Sequence, residues 1–218
     1  MIMERVSENI GILGSGRVGR ALAGKLASAG HAVTVGTRDP ARAAASWSGA
    51  RVAFGDPAEA ARRAAIVVNA TPGDTSVERL GALRDALKGK IVIDVSNATL
   101  RAEDGLPGSL LYPNDSVAER LQAALPETAV VKTLNTMLFT VMADPTSLGV
   151  RPTAFLSGND ESAKAVVARL LGDLGWPADW IEDLGDIATA RGPEAAASLV
   201  PSVLRRRGLA PFAIALAR

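Results

Sequence analysis

The chain has 218 residues, no cysteine and one histidine, with 24 basic against 23 acidic side chains. Disulfides and thiolate chemistry are excluded, zinc sites and a Ser-His-Asp triad are poorly supported, and no basic run of the kind nucleic acid selects is present. No apolar run reaches the roughly 18 residues of a membrane span and the N-terminus lacks a signal-peptide pattern, so the expectation is a soluble cytoplasmic protein without metal, membrane or nucleic-acid partners.

Asn9–Leu13 reads as an apolar strand running into Gly14-Ser15-Gly16-Arg17-Val18-Gly19 and then into a helix. That context on both sides turns GxGxxG into a dinucleotide-binding turn. Gly14 allows the tight turn, Gly16 lets a pyrophosphate approach the backbone, and Gly19 lets helix and strand pack closely. The helix N-terminus, with Ser15, Arg17 and Val18 around it, presents N–H groups and a positive dipole end to phosphate.

His31–Val35 reads as the second strand. It ends about twenty residues after the glycines, where NAD-specific folds place an acidic residue on the ribose 2′-OH. Gly36-Thr37-Arg38 stands there instead, and a hydroxyl and a guanidinium suit a 2′-phosphate. NADP(H) is therefore expected in preference to NAD(H). Arg42, one helical turn later, could reach the same phosphate; the alternative is that Arg38 and Arg42 form a solvated patch. Asp39 before Pro40 reads as a helix cap. His31, at the turn before its strand, reads as structural.

A short third strand follows at 51–54, then an alanine-rich helix opened by Asp56-Pro57. Ala65–Ala70 is a buried strand ending in Thr71-Pro72-Gly73, Asp74–Leu87 reads as a helix, and Lys90–Val95 as the fifth strand. Strand and helix signals that alternate in this way specify a Rossmann-type α/β fold with a doubly wound parallel sheet. Ligands bind outside the carboxyl ends of such strands, so Ala70, Thr71 and Pro72, Ser96 and Asn97, and Asn135, Thr136 and Met137 should line one crevice. Segment 97–115 has no clear periodicity, and reads either as a lid or wall or as a plain surface excursion.

Ser116–Ala124 reads as a helix, Ala129–Val131 as a sixth strand, Thr153–Ser157 as another strand, Glu161–Leu171 as a helix and Trp180–Glu182 as an edge strand. The tail from Asp186 reads as two helices broken near Gly208 and Pro211. Residues 1–150 are thus expected to form the nucleotide-binding domain. Residues 151–218 should add a small C-terminal α/β extension ending in helices, which contributes to an acceptor site. An apolar tail such as Leu209–Leu216 must bury its face, either on its own domain or, as expected here, in a homodimer closed by the C-terminal helices.

GSGRVG, TRDPAR, DVSNAT, the run NDSVAERLQAALPETAVVKTLNTM, FLSGNDESAK and LGDIATARGPEAA together resemble the NADPH-dependent reductases of the deazaflavin coenzyme F420. The likeness runs from about Asn9 to the C-terminus, and fold relatives include the reductase domains of membrane ferric reductases and pyrroline-5-carboxylate reductases. The resemblance implies a 2′-phosphate held by Thr37, Arg38 and Arg42. It implies a nicotinamide over Thr71, Pro72, Ser96, Asn97 and the Asn135–Met137 segment, with coenzyme F420 as co-substrate and a dimeric assembly. Two departures stand out: archaeal members carry a histidine where this chain has Asn135, and a proline where it has Ala98. Hydride transfer between two cofactors needs alignment more than a proton donor, so the histidine is dispensable for that chemistry.

Among ionisable residues, Lys132, Asp94 and Arg191 are the best placed by pattern. Lys132 leaves a strand at its carboxyl end, either to polarise a carbonyl or as a surface lysine snorkelling toward a helix carboxylate. Asp94 reads equally as a loop cap or a catalytic group. Arg191 could hold an anion from a second subunit, with an ion pair to Glu194 as the plainer reading. No acid/base pair emerges, and none of these is assigned as catalytic; Asn135, Ser96 and Asn97 remain the acceptor-side candidates. The function expected is an NADP-dependent oxidoreductase passing hydride between NADPH and a deazaflavin or another flat acceptor. The alternatives are an NADP(H) sensor without turnover, or a reductase of a flavin, ferric chelate or imine.

Overall fold

The computed structural model describes residues 7–217. Strand β1 (Asn9–Leu13) leads through α1 (Arg17–Ser28), β2 (Ala32–Gly36), α2 (Pro40–Ala45) and β3 (Ala53–Gly55) to α3 (Pro57–Arg63), β4 (Ile66–Asn69), α4 (Gly73–Gly81), α5 (Arg84–Leu87) and β5 (Ile91–Asp94). A hairpin of β6 (Thr99–Arg101) and β7 (Pro107–Leu110) precedes α6 (Val117–Ala124), β8 (Ala129–Lys132) and α7 (Phe139–Ala143). The chain continues with β9 (Ala154–Gly158), α8 (Glu161–Leu174), β10 (Ile181–Asp183), α9 (Arg191–Ala195) and α10 (Val200–Arg207).

Eight strands form one sheet in the order β3-β2-β1-β4-β5-β8-β9-β10. From β3 to β8 every pair is parallel; β9 runs antiparallel to β8 and carries β10 parallel to itself. This is the expected doubly wound sheet, extended by two strands of reversed direction. The central strands are covered on both faces, which is why Ile66–Asn69 is buried at every position rather than alternating. One core face gathers the sheet against α1 and α8 around the buried Trp176, whose Nε1 donates to the Met142 carbonyl at 3.0 Å; the other packs Leu80, Leu87, Val117 and Leu121. Strand order reverses beside β1, and a crevice opens at the carboxyl ends there. Several helices start as their sequence dictates: Asp39, Asp56, Ser116 and Asp160 each accept an N–H of the first turn.

The structure corrects three sequence readings. Segment 97–115 is largely an antiparallel hairpin, β6 with β7, whose short strands fall below the length at which alternation is legible. The helix expected over Asp74–Leu87 breaks at Ala82–Leu83 into α4 and α5. The final segment is not a helix. Phe212, Ile214 and Leu216 alternate with alanines, the period of an extended strand, and Ala213 bridges antiparallel to Met137. Leu138 N donates to Phe212 O at 3.0 Å and Ile214 N to Thr136 O at 3.1 Å, so the tail docks on its own chain. The His31 ring is a structural tie, bonded to Asp173 and to the Glu8 N–H. No helix among the described residues is long and apolar enough to cross a membrane.

Candidate nucleotide and acceptor cleft

A cleft of about 1000 Å³ lies over the carboxyl ends of β1, β2, β4, β5 and β8. Gly14, Ser15, Gly16, Arg17 and Val18 line it from the first turn, and Thr37 and Arg38 from the second. Ala70, Thr71 and Pro72, then Ser96 and Asn97, then Asn135 and Met137 follow along its length. Three of the residues named from sequence stand outside the lining. Gly19 lies beneath the turn, where a Cβ would collide with the Gly14 carbonyl. Thr136 is buried, its carbonyl committed to Ile214 N, because the docked tail claims that edge. Arg42 is exposed on α2, its backbone N–H held by Asp39 Oδ1 at 3.0 Å, and it is not among the residues that line the cleft.

Gly14 has φ +112°, and a Cβ there would meet the Ala70 carbonyl at 2.6 Å; only glycine lets β1 turn this close to the loop after β4. A Cβ at Gly16 would meet nothing within 4 Å beyond its chain neighbours. It is the N-cap of α1 yet supplies no side-chain bond to the helix, and the first turn of α1 carries no acidic residue. The N–H groups that side chains satisfy in α2, α3, α6 and α8 are left facing the cleft in α1, a cradle that fits a pyrophosphate. Ser15 Oγ and Thr37 Oγ1 bond at 3.0 Å, joining the first turn to the second. Arg20 braces both sides, Nε to Ser15 O at 3.2 Å and Nη1 to Ser46 O at 2.8 Å. Arg38 lines the cleft, is exposed and forms no ion pair among the described residues. A free guanidinium beside a hydroxyl fits the 2′-phosphate that a carboxylate would repel.

Beneath the other end lies a buried polar network that overturns the surface reading of Lys132. Its ammonium is 1% exposed and pairs with Asp94 Oδ2 at 2.8 Å and Glu194 Oε1 at 3.0 Å, and it donates to the Ser96 carbonyl as well. Burial works against the charged form, but the two carboxylates outweigh it and raise the lysine above its ordinary range. Lys132 does not line the cleft. Glu194, pushed up chiefly by burial, accepts from the Val117 N–H at 2.8 Å and so caps α6 from a distant part of the chain. Arg191, expected to pair with Glu194, instead pairs with Glu119 at 2.6 Å on the surface. Asp94 does cap its loop, accepting from Ser96 N at 3.2 Å and Ser96 Oγ at 2.8 Å.

Leu134, in the loop leaving β8, has φ +58°, a left-handed conformation that costs a branched residue about 1 kcal/mol or more. It brings Asn135 against Asn97 in the neighbouring loop. Beyond them the cleft wall turns apolar, with Met137, Phe139, Met142, Val200 and Phe212. Thr99 and Pro107 of the hairpin complete this wall, and Arg205 of α10 holds the hairpin tip through Asp104 at 2.7 Å. Sequence reasoning missed Phe139, Val200 and Phe212. The alternation around Phe212 was the one signal available.

The family model described as NADP oxidoreductase, coenzyme F420-dependent, matches residues 9–98, which carry the glycine turn, Thr37-Arg38 and the loops after β4 and β5. Metalloreductase STEAP3 of Rattus norvegicus is 34% identical over 188 residues, 85% of this chain and 36% of that protein. The F420-dependent NADP reductase of Methanocaldococcus jannaschii is 34% identical over 113 residues, 51% of this chain and 50% of the reductase. The match therefore spans half or less of these two relatives. A solved structure from Arthrobacter sp. FB24, itself provisionally assigned as an F420-dependent NADP reductase, superposes with a TM-score of 0.87 at 41% identity, covering 97% of this chain and 100% of that one. With the cleft geometry and a whole-length relative in agreement, the chain belongs to the coenzyme F420-dependent NADP oxidoreductase family.

Proposed function

We propose that the chain is a reductase that takes hydride from NADPH in preference to NADH and passes it to a flat electron acceptor, a deazaflavin of the coenzyme F420 type. Continuity is the observation that carries the reading: one cleft runs from the glycine turn past Thr71, Ser96 and Asn135 to an apolar wall. The phosphates fall to the N-terminus of α1, the 2′-phosphate to Thr37 and Arg38, and the nicotinamide end to Thr71, Ser96, Asn97 and Asn135. Bound there, NADPH supplies the hydride. The protein's own residues bind, orient and exclude water: Phe139, Met142 and Phe212 present apolar surface where the second ring must lie face to face with the first.

The likeness to a metalloreductase over 188 residues favours a second reading, delivery to a flavin or ferric chelate. Incubation with NADPH and a panel of coenzyme F420, flavins, quinones and ferric chelates, followed by loss of nicotinamide absorbance, separates the two. Turnover of the deazaflavin alone supports the first reading. Tight NADPH binding with no acceptor consumed replaces both by a sensor. A homodimer belongs to the proposal as well: Leu199, Leu209 and Leu216 are exposed near the C-terminus, and sedimentation at micromolar concentration checks it.

A further inference from the structure

The Lys132–Asp94 ion pair does not line the cleft, yet its hydrogen bonds fix the polarity of two residues that do. A carboxylate only accepts, so the Ser96 backbone N–H and the two side-chain groups that meet Asp94 Oδ1 must all donate to it. One is Asn69 Nδ2 at 2.8 Å, which leaves the Asn69 carbonyl oxygen pointing at Thr71, where it accepts from the backbone N–H at 3.2 Å and from Oγ1 at 2.6 Å. The other is Ser96 Oγ at 2.8 Å. Ser76 leaves this order intact: whether its hydrogen goes to the Pro72 carbonyl at 3.0 Å or to Thr71 Oγ1 at 3.1 Å, the Thr71 hydrogen stays on the inner side, on Asn69 or Ser76. A hydroxyl has a single hydrogen, and in Thr71 and Ser96 it is spent inward. Their hydroxyls have only lone pairs left for a ligand.

We propose that Thr71 and Ser96 form an acceptor-only surface at the inner end of the cleft, set by Asp94 and Lys132, and that this surface selects a ligand group bearing N–H donors. The inference rests on the NADPH reading above, and the group it selects is the carboxamide of the nicotinamide ring. A methyl ketone of the same shape offers no hydrogen, and a carboxylate offers charge to lone pairs. Asp94 and Lys132 touch no ligand in this scheme and act as positioning residues.

The test is calorimetric binding of NADP+, of its 3-acetylpyridine analogue, of its nicotinic acid analogue, and of adenosine 2′,5′-bisphosphate as a fragment that ends before the pyridine ring. In the unmodified protein the ketone should bind about tenfold more weakly than NADP+ and the acid about a hundredfold more weakly. Asp94→Asn places an amide where the carboxylate stood. Its NH2 can turn Asn69 over and free the Thr71 hydrogen toward the cleft, so the ketone penalty should shrink to within about threefold while the bisphosphate binds unchanged. The double variant Thr71→Val/Ser96→Ala leaves the ion pair in place and should show the same shrinkage, which keeps the proposal testable if Asp94→Asn does not fold. Equal affinities for the three dinucleotides in the unmodified protein, or a ketone penalty undiminished in the double variant, overturn the proposal and leave nucleotide binding standing. Failure of the bisphosphate to bind the unmodified protein overturns the NADPH reading itself.

Discussion

Asn97 and Asn135 hold each other across the floor of the cleft: Asn97 Nδ2 donates to the Asn135 carbonyl at 2.8 Å, and Asn135 Nδ2 donates to Asn97 Oδ1 at 2.9 Å. The pair ties the loop after β5 to the loop after β8, and these two loops must stay in register if two rings are to meet. Asn135→Ala removes the side-chain half of the tie. It is expected to slow hydride transfer by about tenfold while changing NADP+ affinity less, because alignment suffers more than binding. Single-turnover kinetics set beside equilibrium titration separates the two effects.

Arg38→Ala should weaken NADPH by at least about tenfold, near 1.4 kcal/mol, and leave NADH almost unchanged. Arg42→Ala should change either affinity by less than about threefold, because Arg42 is exposed on α2 and outside the cleft lining. Calorimetry with both nucleotides on both variants checks the division of labour, and a large Arg42 effect would show that the nucleotide draws α2 inward.

The glycines of the first turn should separate binding from folding. Gly16→Val is expected to abolish nucleotide binding with little change in Tm, since a Cβ at Gly16 meets nothing within 4 Å beyond its chain neighbours. Gly19→Val should fail to fold, since its Cβ would overlap the Gly14 carbonyl. Thermal melts with and without NADP+ report both: the Gly16 variant melts normally and gains nothing from ligand.

Lys132→Met leaves Asp94 and Glu194 buried without a counter-ion and is expected to cost about 3–5 kcal/mol of stability. The sign with pH follows from the shifts. Lys132 is raised above 10.5 in the folded protein, so its stabilising contribution is complete through neutrality and is lost only as pH rises through the raised value. Glu194 is raised above 4.5, so its contribution is complete below 4.5 and is lost as pH rises through its folded value. Removing the ammonium takes away the charge that holds Glu194 down and raises it further. The deficit of the variant should therefore be smaller near pH 4.5 than at pH 7, as read by urea unfolding at both.

The parts of the molecule written in contiguous residues were legible beforehand. The glycine turn, the Thr37-Arg38 pair and the parallel, doubly wound character of the sheet each follow from a few adjacent side chains or a local period. The network under the cleft was not, because Asn69, Asp94, Lys132 and Glu194 meet only after the sheet closes and α9 packs beneath it. A lysine at the end of a strand looks the same in sequence whether it faces water or two carboxylates. Arg191 and Glu194 were close enough along the chain to suggest a pair, yet they face different partners. The Phe212 wall was hidden for another reason: a short apolar stretch after Pro211 is ambiguous between helix and strand until the edge it pairs with is known.

The hydrogen bonds that Glu194 accepts from the start of α6, and its ion pair with Lys132, also bear on the order in which the molecule can be completed during folding. They join segments far apart in the chain, and contacts of that kind close late because the intervening loop entropy must first be overcome. The half-sheet from β1 to β5 can form from neighbours in sequence, but the inner end of the cleft has no ordered floor until the last third of the chain has docked. Recovery of nucleotide binding during refolding should lag behind recovery of helical circular dichroism, and the interval between the two signals measures how long the protein exists as a folded sheet without a finished site.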